Sequence, residues 1–146
     1  MNIKVVDFEK LTSVYKPYLD GVGEINNLRE EFKEKLIPLR DEMQKIITSV
    51  SSGIELIGND KAQKEQRYGQ LQEEAANIDE EFKQKNHKMK DDLNYKTFNE
   101  LSAIIDEYIE GKDIDMVAGK MEIVFVKPEH EITDSIIELL GTKNLS

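Results

Sequence analysis

The chain has 146 residues, no cysteine, and 20 basic against 30 acidic side chains, for a net charge of −10. Such a balance argues against nucleic acid, which demands a basic face to displace counterions, and against anionic membrane surfaces. The lack of cysteine excludes disulfides, thiolate nucleophiles and zinc–thiolate clusters. No apolar run approaches the roughly 20 residues that span a bilayer, so stable membrane insertion is not expected.

Met1-Asn2-Ile3-Lys4-Val5 opens on strand-like residues with no basic or apolar leader before them. The expected location is therefore the periplasm if a signal peptide has been removed, and the cytoplasm otherwise. Ile3 to Val6 is short and β-branched, and Asp7 is placed to cap a brief helix through Phe8, Leu11 and Val14. Pro17, Gly21 and Gly23 are expected to interrupt that helix.

From Glu24 onward Ile25, Leu28, Phe32, Leu36, Leu39, Met43, Ile46 and Val50 recur in steps of three and four, one helical stripe. Tyr68, Leu71, Ala75, Ile78, Phe82 and Met89 repeat the rhythm on a return leg, and Leu93, Leu101, Ile104, Ile105 and Tyr108 resume it. With Gly53, Gly58, Asn59 and Asp60 between the legs, the pattern predicts an antiparallel helical hairpin over 24–108 with its tip near 53–61. A helix of about 40 residues is 60 Å long, so an elongated arm is expected. Pro38 lies inside the outgoing stripe and predicts a kink between Leu36 and Arg40. Lys85, Asp92 and Lys96 fall where a strict heptad wants apolar side chains, which predicts a wet seam on the return leg.

After Glu110-Gly111-Lys112 the period changes. Ile114, Met116 and Val117, then Ala118-Gly119-Lys120, then Glu122 to Val126 and Pro128, predict a β-hairpin. Thr133 is placed to cap a short helix carrying Ile136, Ile137 and Leu140, with Gly141 at its end in a position of positive φ. The hairpin returns the chain to its start, so the strand at 3–6 can join the pair at 114–126. Residues 1–23 and 109–146 are then a small β body, too small and too open-edged to stand alone. The fold class is mainly α with a small β body, a long antiparallel helical hairpin plus short strands from both chain ends.

The runs Asp113-Ile114-Asp115-Met116-Val117, Val124-Phe125-Val126-Lys127-Pro128 and Glu131-Ile132-Thr133-Asp134-Ser135-Ile136-Ile137 resemble the C-terminal signature of the Skp (OmpH) family of periplasmic chaperones. Ile3-Lys4-Val5-Val6-Asp7-Phe8 resembles the family's first strand. The resemblance spans the chain, with specific motifs only at its two ends. It implies a homotrimer in which strands and terminal helices of three subunits build the body and three helical arms surround a cavity. It also implies an ATP-independent holdase that binds unfolded outer-membrane proteins. Phe125 stands where a tyrosine is common and Glu131 where an aspartate is common. The best-known relatives are strongly basic, so their contacts with lipopolysaccharide or anionic lipid do not carry over to a chain of −10. Lys61, Lys64 and Arg67 are a local basic cluster, offset by Glu65, Glu73 and Glu74.

Within this reading the candidate client contacts are Ile54, Leu56, Ile57, Phe32, Leu36, Phe82 and Met89, although the helical period already accounts for the last four as hairpin seam. The candidate trimer body comprises Ile3, Val5, Ile114, Met116, Ile123, Phe125, Ile132, Ile136, Ile137 and Leu140. The expected partners are unfolded polypeptide and further copies of the chain. No catalytic residue, metal or cofactor is expected. His87 and His130 lack any ligand-spaced companion, the acidic pairs lie on solvated helix faces, and Gly21-Val22-Gly23 lacks the third glycine of a phosphate loop. The alternatives are a scaffolding coiled-coil trimer without clients and a cytoplasmic prefoldin-like module.

Overall fold

A computed structural model describes residues 1–52 and 59–146. The chain runs β1 (Ile3–Val6), α1 (Phe8–Val14), α2 (Lys16–Ser51), α3 (Asn59–Ile109), β2 (Met116–Gly119) and α4 (Thr133–Thr142), with single 3-10 turns at Lys120–Glu122 and Pro128–His130. It divides into two compact units. The first, here the body, comprises Met1–Glu24 and Asp91–Ser146; the second, the arm, comprises Ile25–Lys90.

The body is built on a small two-stranded sheet. β1 and β2 are parallel, with Ile3 opposite Met116 and Val6 opposite Gly119. Parallel neighbours need a long crossover, and here the crossover is the helical excursion between them. The expected hairpin over 114–126 does not form. Ala118 and Gly119, read as a turn, are ladder residues opposite Val5 and Val6. The Lys120–Glu122 turn then leads the chain away, and among the described residues 123–127 pairs with nothing in the sheet. The other side of β1 is taken by a parallel bridge between Val5 and Glu131, with Ile132 N–H donating to the Val5 carbonyl at 2.9 Å.

Around the sheet, Val6, Leu11, Tyr15, Leu101, Ile104, Ile105, Ile132, Ile136 and Leu140 form one core cluster. Asp7 caps α1 as its sequence position suggests, its carboxylate accepting from Lys10 N–H at 3.1 Å. Thr133 is not the cap of α4 but its first residue, and its buried hydroxyl accepts from Asp7 N–H at 2.9 Å. Gly141 also departs from its expected role, because it lies inside α4. The helix closes a turn later, where Asn144 takes φ 57° and Leu145 N–H donates to the Leu140 carbonyl. That closure delivers the Leu145 carbonyl to Lys16 N–H at 2.8 Å, an otherwise unpaired donor at the start of α2.

α2 begins eight residues earlier than the glycines suggest. Pro17 falls in its first turn, where a missing N–H costs nothing. Gly21 sits against Leu93, where a Cβ would lie 2.4 Å from Leu93 Cδ1, so close packing overrides the poor helix propensity of glycine. α3 ends at Ile109 and Gly111 takes φ 74°, as expected where the helical period stops.

In the arm, the residues of α2 and α3 meet antiparallel. Phe32 and Phe82 have ring centroids 5.4 Å apart, the Arg67 guanidinium donates twice to Glu42 at 2.8 and 3.0 Å, and Lys64 donates to Ser49. Ile25, Phe32, Leu36, Leu39 and Leu71 are buried, with Leu28, Met43, Ile46, Tyr68, Ala75, Ile78, Phe82 and Met89 half-buried beside them. The predicted stripe is thus the seam, except that Ser49 and not Val50 turns inward at its end. α2 continues past Pro38. Lys85 is exposed and pairs with Glu81 at 2.9 Å, while the polar residue of this part of the seam is Asn86, whose Oδ1 is buried with no hydrogen-bond partner. In the body, likewise, Asp92 and Lys96 are exposed and the inward residues are Leu93 and the buried Thr97. A step of four in place of three shifts the inward face by one residue, which moves those charges into solvent.

Candidate assembly and client-binding surface

Two kinds of polar contact hold the body elements in place. Glu131, the residue bridged to β1, receives Lys120 Nζ at 3.2 Å on both oxygens and the Thr133 hydroxyl at 3.3 Å, and Thr133 in turn holds Asp7. Tyr15, nearly inaccessible in the core, donates its hydroxyl to Glu100 at 2.5 Å. Burial pushes the Tyr15 hydroxyl well above its ordinary value, and the Glu100 carboxylate adds to the shift. At the surface, Lys10 and Asp134 join α1 to α4 at 2.9 Å, which raises the Lys10 ammonium. None of these groups forms a site for chemistry; each satisfies a neighbour.

Among its exposed charges the body also leaves apolar side chains open. Val124 is fully exposed, Met121, Phe125 and Tyr95 nearly so, and Phe98, Met116 and Ile3 are partly so. Phe98 stacks on Phe8 with centroids 5.5 Å apart, and beside this pair a hollow of about 380 Å³ runs along β2. A second hollow of about 420 Å³ lies between Ile3, Val5 and the 123–127 segment. Of the body residues proposed from sequence, Val5, Ile132, Ile136 and Leu140 are buried in the chain's own core. Ile114, Ile123 and Ile137 are half-buried, and Ile3, Met116 and Phe125 face outward.

The arm also keeps an apolar surface outside its seam. Ile37, Ile47 and Val50 are exposed, and Ile46, Ile47, Val50, Ser51, Glu65 and Tyr68 line a hollow of about 300 Å³. The sequence-derived contacts Phe32 and Leu36 are buried in the seam, and Phe82 and Met89 are half-buried in it. Ile54, Leu56 and Ile57 lie outside the described residues. Ile37, Ile47, Tyr95 and Phe98 escape a periodic reading because each is out of phase with the stripe. For Ile37 and Ile47 the signal that could have found them is the doublet: of Leu36-Ile37 and Ile46-Ile47, only one member can face the seam.

The profile of the OmpH-like outer membrane proteins matches residues 2–140. The chain belongs to the OmpH-like family. Among curated proteins no sequence matches it significantly. Among solved structures it is similar to a candidate outer membrane chaperone (OmpH-like) from Caulobacter crescentus CB15, with a TM-score of 0.72 at 12% identity over 97% of this chain and 85% of that one. At that identity the likeness speaks for the fold. A mainly helical OmpH-like chain with a helical hairpin and two short strands from opposite ends is therefore the architecture. Among the described residues of this OmpH-like protein no helix is long and apolar enough to cross a membrane, and no cluster of His, Asp and Glu is arranged to hold a metal ion.

Proposed function

We propose that this OmpH-like protein is an ATP-independent holdase of the periplasm that, as a homotrimer, shields unfolded outer-membrane proteins between its arms. Family membership supports the chaperone role. The observation that carries the client-binding part is the apolar surface the arm keeps outside its own seam, at Ile37, Ile47, Val50 and the hollow beside Tyr68. A holdase needs many weak apolar contacts and no chemistry, and exposed apolar side chains on a mixed-charge helix supply them.

The test is light scattering of an unfolded outer-membrane β-barrel diluted into buffer with stoichiometric protein and no ATP, with mass determined on the same sample. Suppression by a species of three-chain mass is expected. The double variant Ile47→Ser, Val50→Ser is expected to lose most of that suppression with its mass unchanged. A stable trimer that never suppresses aggregation would replace the holdase by a scaffold.

A further inference from the structure

The arm hollow of about 300 Å³ is walled by Ile46, Ile47, Val50 and Tyr68, with Ser51 and Glu65 also in its lining. Three of the four apolar residues are β-branched, and such side chains keep one rotamer in a helix, so the hollow is formed before anything enters it. Its size lies at the lower end of ligand pockets, which fits one large side chain rather than a folded surface. Glu65 is the one charged residue of the lining. The cations next to it in α3 are engaged, Lys64 donating to Ser49 and Arg67 donating twice to Glu42. Among the described residues the exposed Glu65 carboxylate makes neither an ion pair nor a hydrogen bond, even with Lys61 one turn earlier. The arm carries twelve basic against thirteen acidic side chains, so its overall field gives little preference, and the carboxylate beside the apolar wall sets the local one.

We propose that this hollow seats one aromatic side chain of an unfolded client, and that Glu65 selects a lysine or arginine beside it. The proposal rests on the holdase reading above and names the kind of segment the arm takes up. An aromatic ring buries its area against the aliphatic wall and meets the Tyr68 ring, a pairing that adds to the gain from area alone. Its entry takes water from the Glu65 carboxylate, and a cation on the adjacent client residue offsets that loss with a charge-assisted hydrogen bond. Membrane β-barrels carry aromatic residues in girdles at both interfaces, so such clients hold many occupants for the seat. One exposed carboxylate gives a modest preference, which biases the choice among client segments without making the contact strong.

The chain contains no tryptophan, so a peptide with one tryptophan in a Gly-Ser background reports its own burial by the blue shift of its emission. Two such peptides, with either lysine or glutamate flanking the tryptophan, are titrated with the full chain at about 0.15 M salt, where charges beyond about 8 Å are largely screened. The lysine peptide is expected to bind about threefold more tightly, and Glu65→Lys, at an exposed position, to reverse that order. Ile47→Ser with Val50→Ser is expected to abolish the blue shift of both peptides. A blue shift that survives this double variant would put the tryptophan elsewhere and overturn the seat. An order unchanged in Glu65→Lys would trace the preference to the general acidity of the chain and overturn the role of Glu65. Either result, with suppression of barrel aggregation intact, leaves the holdase standing; loss of both peptide binding and suppression in the unaltered chain would remove the holdase as well. An oligomer mass that falls in the double variant would assign the hollow to a second copy and overturn the client as its occupant.

Discussion

The body and the arm are made from the same two long helices yet differ in how they hold together. The body has eight Lys and Arg against seventeen Asp and Glu, a balance of −9; the arm has twelve against thirteen, a balance of −1. The body buries a three-dimensional cluster fed by both strands' surroundings and four helices, whereas the arm buries one seam between two helices. Almost all of the net charge thus sits on the unit with a core to offset its self-repulsion, and the thin-seamed unit is near neutral. A near-neutral arm with apolar residues outside its seam suits weak contacts with varied chains. An acidic body needs specific apolar complementarity to associate.

Truncation of a core residue separates the two units most strongly. Ile136→Ala, at a fully buried body position, is expected to cost about 3–4 kcal/mol, and Leu36→Ala in the arm seam about 2 kcal/mol, read as urea midpoints by circular dichroism. Equal losses would erase the contrast between a core and a seam. Next in size is Thr133→Val, which leaves Asp7 N–H without its acceptor and is expected to cost about 1–2 kcal/mol with little change in side-chain volume.

Titration sharpens the comparison further. The Tyr15 hydroxyl is raised in the fold by burial and by Glu100, so its protonated form is the one the folded body favours. Its contribution is complete below the ordinary value of 10.0 and is lost as pH rises above it. Tyr15→Phe is expected to cost about 1 kcal/mol at neutral pH and to flatten the alkaline decline of stability, followed by thermal melts from pH 8 to 11. The arm offers the opposite sign and the smallest effect. Arg67 holds the Glu42 carboxyl below its ordinary value of 4.5, so that contribution is present above this pH and fades as pH falls below it. The pair is exposed, so Glu42→Gln is expected to change the midpoint by little more than the error of the measurement.

Much of this was legible in the residue order. The apolar stripe from Ile25 to Ile46 and its return from Tyr68 to Tyr108 determined the helical hairpin, because a 3.6-residue period admits one buried face per helix. The Asp7 cap, the helical stop before Gly111 and the strand at Ile3–Val6 were equally local. What lay beyond the sequence was every choice of partner. Ala118 and Gly119 look like a turn until β1 is seen beside them, and the 122–126 run looks like a strand although among the described residues it pairs with no other. Gly21 and Pro17 look like breakers until Leu93 and the first helical turn accommodate them. Lys85 looks like a buried charge until Asn86 takes the inward place. Period and capping act over three or four residues and are written in the chain. Strand pairing, close packing and the apolar surface left uncovered depend on residues about a hundred positions apart, and only the tertiary structure brings those together.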